Sequence, residues 1–258
     1  MPAEKTGNSQ SLQRGLDILM TIDGAPAPMG VRDIARQLGL SATIVQRLIN
    51  TLAQNQFVSQ DPVTRRYGVG YRAFGLGWSL TKTDRLISVA KPELDVLASK
   101  HQLNGYLGVL RGNRAVYILS TQSEGPIVIR SVPGSETFLH STALGKVLLA
   151  GLTDEEVKKL IGAGPLEQVT PKTCTDPAAL MRQVSAVRRQ GYAVIEGENI
   201  AGVTSVGAPI HDSSERTIAA LSIAFAQWSS PDTAIDDIVE LVRASAARIS
   251  RMLGSQTE

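Results

Sequence analysis

Gln46 and Arg47 follow Thr43 by three and four residues in the run SATIVQRLIN, which puts the three on one side of a helix. An amide, a hydroxyl with its methyl and a guanidinium in that array carry the donors and acceptors that read DNA base edges. A glutamine pairs with adenine in bidentate fashion, a threonine meets a thymine methyl or a phosphate, and an arginine reaches guanine or a phosphate. Further along, Thr64, Arg65 and Arg66 are adjacent, and two neighbouring guanidinium groups suit the DNA backbone or the minor groove. Arg14 adds a further candidate for a phosphate.

A second set of residues suits a small ligand. The run HSTALGK opens an apolar helix, and the free N–H groups of a helix start favour an anion. His140, Ser141 and Thr142 supply donors beside it. In VTSVGAPI and TIAALSIAF the alternation lets Ser205 and Ser222 face inward among apolar neighbours. Signatures of covalent or phosphoryl chemistry are missing: there is no GxSxG and no GxxxxGK[ST]. Gly68-Val-Gly70-Tyr-Arg-Ala73 fits the loose dinucleotide pattern but lacks the preceding parallel strand and the acidic residue some 20 positions on. The three histidines lack metal-ligand spacing, and the lone Cys174 forms neither an internal disulfide nor a cysteine cluster. No cofactor is expected, and Cys174 reads as a passive loop residue. Glu196 and Glu198 flank Gly197 as a solvated turn rather than a catalytic pair, and His211, in HDSSER, reads as exposed.

These groups need elements to position them. Leu12, Leu16, Leu19 and Ile22 recur at helical spacing over 9–23, with Ser9 or Ser11 as cap and Gly24, Pro26 and Pro28 as the stop. Residues 30–38 repeat the pattern with Val31, Ile34, Ala35 and Leu38 inward. Gly39 breaks that helix, and Ser41 caps a third running to about Asn55. With Leu48 at the centre of its buried face, Ala42, Thr43, Gln46 and Asn50 point outward and Arg47 lies on the flank. Two short strands follow around Phe57–Val58 and Tyr67–Val69, turned by Asp-Pro. Two helices joined by a short Gly turn, then a hairpin, make a winged helix-turn-helix. Residues 75–100 read as a helical linker with Pro92 in the first turn of its second segment. Beyond it, 104–110, 115–121 and 126–132 are strand-like, 141–152, 153–161 and 177–190 helical, then YAVIE, 203–210 and 217–225 strand-like. A last helix covers about 231–253 with Ile235, Ile238, Val239, Val242, Ala246 and Ile249 inward. Short gaps make the sheet antiparallel and the class α+β. The expected division is a flexible N-terminus (1–8), a winged head (9–74), the linker (75–100) and a C-terminal domain (101–258).

The 258 residues allow one large domain or two ordinary ones. No apolar run reaches the roughly 18–20 residues that span a bilayer, and MPAEKTGNSQ lacks a signal-peptide pattern, so a cytoplasmic protein with no membrane partner is expected. The net charge of +2 hides an asymmetry: residues 1–82 hold 9 Lys/Arg against 5 Asp/Glu, and residues 83–258 hold 17 against 19. A basic head on a slightly acidic body points to nucleic acid at the N-terminal end.

SLQRGLDIL, VRDIARQLGLSATIVQRLINTL and RRYGVG resemble the winged head of the IclR family of bacterial transcription regulators. The resemblance continues through FLHSTALGKVLLAGL, RRQGYAVIEGENIAGVTSVGAPI and IAALSIAF, from about Ser9 to Met252. It implies a GAF-like effector-binding domain, a homodimer or dimer of dimers, and a near-palindromic double-stranded DNA operator. It places the effector shell on Ala143, Leu144, Ile195, Val203, Ser205, Ser222 and Ala224. Leu144 is large where a small residue occurs in the family, Ile195 is apolar where an acid occurs, Ser205 stands for a frequent cysteine, and Ala224 lacks a hydroxyl. Those departures imply a bulkier, partly apolar or aromatic carboxylic acid rather than a two- or three-carbon keto acid. The alternative reading is a cytosolic small-molecule sensor or enzyme whose head binds protein rather than DNA.

Overall fold

The computed structural model describes residues 8–123, 129–227 and 234–256. It divides between Thr83 and Asp84 into two compact units. In the first, α1 (Gln10–Asp23) starts at Ser9, whose Oγ accepts the Leu12 N–H. Gly39, at φ 63°, ends α2 (Val31–Leu38), and its N–H bonds to the Ala35 carbonyl. Two residues later the Ser41 hydroxyl accepts from the Ile44 N–H at 3.3 Å and opens α3 (Ala42–Gln54). The core is Ile18, Ile22, Ile34, Ala35, Val45, Ile49, Val58 and Tyr67.

Helices α1 and α3 turn different faces inward from those their spacing predicts. Leu12 and Leu16 are 64% and 46% exposed, and the inner face of α1 is Gly15, Ile18 and Ile22. This helix carries two apolar stripes, and spacing alone does not choose between them. On α3 the buried centre is Val45 and Ile49, with Leu48 only half-buried.

Strands β1 (Val58–Gln60) and β2 (Tyr67–Val69) pair antiparallel as the wing, Gln60 opposite Tyr67. Met29 exchanges both backbone hydrogen bonds with Tyr67, a third short partner that the sequence did not announce. A Cβ on Gly70 would lie 2.2 Å from the Gln56 carbonyl oxygen, so glycine is required where the wing closes on the end of α3. That requirement, rather than a dinucleotide site, accounts for Gly70 in the GVGYRA run. Helix α4 (Tyr71–Thr83) completes the unit.

The helical stretch 75–100 breaks at Asp84, not near Pro92. Asp84 caps α5 (Arg85–His101), its carboxylate accepting the Ile87 N–H, and Pro92 lies in the interior of that helix. A proline there gives up a single backbone bond, while the Asp84 side chain satisfies an otherwise orphaned donor.

The second unit is built on a six-stranded antiparallel sheet: β3 (Asn104–Arg111), β4 (Arg114–Thr121), β5 (Glu136–Thr137), β6 (Ala193–Glu196), β7 (Val203–His211) and β8 (Thr217–Ala226), in spatial order β5-β4-β3-β8-β7-β6. Of the expected strand at 126–132, residues 126–128 lie outside the described residues and 129–132 form none; β5 takes the place beside β4. Helices α5 and α9 (Ile235–Met252) bury one face around Leu94, Leu107, Leu221 and Val242. The other face packs under α6 (Ala143–Ala150) and α8 (Pro177–Gln190), with α7 (Asp154–Ile161) beside α8. Ile235, expected inward at the start of α9, is 40% exposed, whereas Ile238, Val239 and Val242 are buried. Pairing sets Ile195, Ser205, Ala224 and Asn104 in one row across the sheet, and Gly207, Ser222, Tyr106 and Ser120 in the next. Both rows face α6.

Candidate nucleic-acid face and effector cavity

The outer face of α3 is the floor of a shallow groove lined by Ala42, Thr43, Gln46, Arg47 and Asn50, with Val31 and Arg32 of α2 as its rim. Ala42, Thr43, Arg47 and Asn50 are exposed, as the helix pattern requires. Gln46 is half-buried: its Nε2 donates to Asn50 Oδ1 at 2.9 Å and to the Tyr67 hydroxyl at 3.3 Å. Ser41 is exposed but does a structural job as the cap of α3.

The wing residues divide by role. Asp61 accepts from the backbone N–H groups of Val63 and Thr64 and from the Thr64 hydroxyl, which fixes the turn. Those bonds from Thr64 hold the Asp61 carboxyl below its usual range. Thr64 therefore builds the tip. Arg65 stands at the tip with φ 59°, exposed, and its carbonyl accepts from Gln60. Arg66 turns back: Nη1 donates to the Pro28 carbonyl at 3.2 Å and lies 3.7 Å from Asp33 Oδ2. Arg14, half-buried on α1, is not among the groove residues. Sequence reasoning overlooked Arg32. Its signal is a lone positive charge in the first turn of α2, one residue after an inward Val31. Among the described residues Arg32, Arg47 and Arg65 have no carboxylate partner.

In the second unit, Thr142, Ala143, Leu144, Ile195, Val203, Ser205, Ser222 and Ala224 all line one cavity of about 60 Å³. The mechanism of convergence is local. Thr142 caps α6, its Oγ1 accepting the Gly145 N–H at 2.9 Å and donating to the Phe138 carbonyl at 2.7 Å. The N–H groups of Ala143 and Leu144 then have no protein acceptor among the described residues, and they open onto the cavity. The hydroxyls of Ser205 and Ser222 likewise have no protein partner there. Gly207 lets the sheet approach this helix end: a Cβ would sit 3.1 Å from the Ala143 carbonyl carbon.

The sequence did not single out Tyr106, Tyr117, Ser131, Asn199 and Ile200, which complete the wall. The two tyrosine rings are tilted with centroids 5.5 Å apart, and Tyr106 donates to the Ile129 carbonyl. Burial pushes both phenols up, Tyr106 well above its ordinary range, so both stay neutral. Their signal was alternation in NGYLGVL and AVYILST, which marks facing but not what is faced. His140 is buried but not in the cavity. Its Nε2 is 2.8 Å from the Glu167 carbonyl and its ring meets Phe138 edge-on, so it holds the loop before α6.

Asn199 and Ile200 sit on a turn between Gly197 (φ 73°) and Gly202 (φ 75°). Ser141 donates to Asn199 Oδ1 at 3.0 Å. Lys146, 1% exposed on α6, donates to Glu198 Oε1 at 2.7 Å, and the Cys174 N–H meets the other carboxylate oxygen. Thr170 and Thr173 donate to the Gly197 and Glu198 carbonyls. The solvated reading thus holds for exposed Glu196 and fails for Glu198, because Lys146 has no other means of burying its charge. Desolvation pulls the Lys146 pKa down, and Glu198 opposes that shift. His211, expected exposed, is half-buried at the end of β7, which depresses its pKa. Among the described residues no group of three His, Cys, Asp or Glu could hold a metal, and no helix is long and apolar enough to cross a membrane.

A winged helix-turn-helix head on a chain whose second unit encloses a donor-lined cavity defines the class of ligand-responsive transcription regulators. The model of the IclR helix-turn-helix domain matches residues 11–62, and that of the bacterial transcriptional regulator IclR C-terminal domain matches residues 79–251. The chain belongs to the IclR family. It is 29% identical over 245 residues to the transcriptional regulator XynR of Escherichia coli K12, covering 95% of this chain and 97% of that protein. It is 29% identical over 248 residues to the transcriptional repressor AllR of the same organism, covering 95% and 91%. Among solved structures, the IclR of Thermotoga maritima superposes with a TM-score of 0.80 at 28% identity, covering 95% of this chain and 98% of that one. An IclR homolog complexed with 4-hydroxybenzoate, from Microbacterium hydrocarbonoxydans, shares the fold with a TM-score of 0.82 at 24% identity, covering 94% and 98%.

Proposed function

We propose that this chain binds a near-palindromic operator as a homodimer or dimer of dimers, and that a partly apolar or aromatic carboxylate in the C-terminal cavity controls that binding. The observation that carries the ligand class is the unequal lining of the cavity. Two backbone N–H groups and two serine hydroxyls without protein partners belong to residues of its wall. Leu144, Ile195, Val203, Ile200 and the tyrosine rings supply most of the remaining wall, with Ser131 and Asn199 among them. Donors without a cation hold a carboxylate by hydrogen bonds and the dipole of α6. The apolar remainder rewards a hydrocarbon or ring attached to it. At about 60 Å³ the cavity holds a few waters, so a ring enters by displacing Ile200 and its glycine-bounded turn.

Dimerisation is supported by apolar side chains that the first unit leaves in water. Leu12, Leu16 and Met20 line α1 at four-residue spacing, and Phe74 stacks on Trp78 on α4 with centroids 6.1 Å apart. A two-fold dimer presents two recognition helices to two half-sites. The expected operator contacts are Ala42, Thr43, Gln46 and Arg47 in the major groove, with Arg32, Arg65 and Arg14 on phosphates. Calorimetry with 4-hydroxybenzoate, benzoate, pyruvate and glyoxylate tests the ligand class. Saturable binding of the aromatic acids supports it, and binding of only glyoxylate or pyruvate overturns it.

A further inference from the structure

We infer that Gln46 and Asn50 act as one base-reading unit, braced by Tyr67 of the wing, that selects an A·T pair in each operator half-site. The inference rests on the reading that the head binds DNA. Each residue alone would offer a complete amide, able to pair with adenine in a bidentate way. Here the two amides are spent partly on each other. The Gln46 NH₂ uses both hydrogens, one on Asn50 Oδ1 at 2.9 Å and one on the Tyr67 hydroxyl at 3.3 Å. What remains toward the groove is the Gln46 carbonyl as acceptor and the Asn50 NH₂ as donor. Turning both amides over exchanges these roles but keeps the balance, because the tyrosine hydroxyl then donates. In either orientation the unit offers a carbonyl acceptor on one residue and an amide NH₂ donor group on the other, one helical turn apart.

In the major groove only adenine carries a donor and an acceptor on the same base edge, N6–H and N7. Guanine shows two acceptors, and its partner's donor lies across the pair. The neighbours point the same way. Ala42 and Thr43 line the same groove, and their methyl groups suit contact with a thymine C5-methyl. Tyr67 is 5% exposed and belongs to the core of the head, so it fixes the amide pair without touching a base itself. It is a positioning residue that links the wing strand to the reading helix.

Selection of binding sites from a random duplex library, with the full-length protein and with Gln46→Ala, Asn50→Ala, the double variant and Tyr67→Phe, tests this. Asn50 is exposed and Gln46 half-buried, and thermal midpoints of all four variants show whether each keeps the fold. The expected wild-type site has an A·T pair at one position of each half-site. Both single variants relax that same position, by roughly five- to a hundredfold in preference. The double variant relaxes it no further than either single one, and Tyr67→Phe relaxes it in part. Relaxation of two different positions, or additive loss in the double variant, overturns the unit while leaving DNA binding intact. Selection of a G·C pair at the affected position overturns the assignment to adenine. If the wild type selects no sequence at all, the DNA-binding reading fails and the inference falls with it.

Discussion

At the scale of single residues, the cavity is set by what is left unbonded. Ser205 and Ser222 have hydroxyls that nothing in the described protein uses, and a ligand carboxylate would use them. Ser222→Ala and Ser205→Ala are each expected to weaken binding of the effector by roughly two- to tenfold, since a net hydrogen bond contributes about 0.5–1.5 kcal/mol. The thermal midpoint of the unliganded protein should not fall, and calorimetry beside a thermal melt reads both. Lys146 behaves oppositely. Lys146→Met leaves the Glu198 carboxylate without its cation and is expected to destabilise the second unit by about 3–5 kcal/mol, less whatever water recovers at the partly exposed Glu198. Lys146→Met with Glu198→Leu should regain part of that loss in urea unfolding. A double variant no better than the single one would show that the pair is not coupled. The serines were legible as inward polar residues in alternating strands. The Lys146–Glu198 pair was not, because 52 residues separate the partners and each taken alone resembles an ordinary surface charge.

At the scale of elements, several boundaries were legible from a capping residue, though the Asp84 cap of α5 was not, because Pro92 offered a competing start. Ser9, Ser41, Thr153 and Gly191 start or stop helices as their chemistry requires. Facing was legible only where one apolar stripe dominates. It failed on α1, where Leu12–Leu16–Met20 competes with Gly15–Ile18–Ile22, and packing against α3 decides. The Met29 partner to Tyr67 and the two-residue β5 escaped notice because segments that short carry no period. Helices α5 and α9 are joined by a pair of hydrogen bonds, Arg248 Nε and Nη2 to Glu93 at 2.9 and 2.7 Å. The bonds from Arg248 hold the Glu93 carboxyl below its ordinary value of 4.5 against the opposing effect of burial. A carboxyl depressed on folding contributes stability above its unfolded pKa and loses it as pH falls through the folded one. Acid unfolding of Glu93→Gln is therefore expected to depend less steeply on pH below about 4.5 than that of the wild type, as followed by circular dichroism. Superimposable acid profiles would rule this contribution out.

At the scale of the whole molecule, the family, the α+β class and the order of head and effector domain were legible, because long motifs occur in the right sequence. The identity of the effector was not, since the cavity wall draws on β3, β4, β6, β7, β8, α6, residues 129–131 and the 197–202 turn, which no local pattern brings together. The division at Asp84 places α4 with the head and α5 with the effector domain, so the α4–α5 junction is the covalent path along which one would inform the other. The exposed α1 and α4 side chains make the assembly testable. Leu16→Glu with Trp78→Glu is expected to shift the protein toward monomer in sedimentation and to lower operator affinity, because half-sites then bind singly. An unchanged assembly would place the dimer interface elsewhere. A ligand in the C-terminal cavity is expected to set the affinity of the head for DNA. Fluorescence anisotropy of the full-length protein on its selected operator, titrated across salt with and without saturating 4-hydroxybenzoate, tests it most directly. The predicted result is an affinity that falls steeply with salt and changes by roughly five- to a hundredfold on ligand addition, with the ligand effect lost in a cavity-filling Ser222→Phe variant. Saturating, calorimetrically verified ligand binding that leaves operator affinity unchanged at every salt concentration would contradict it.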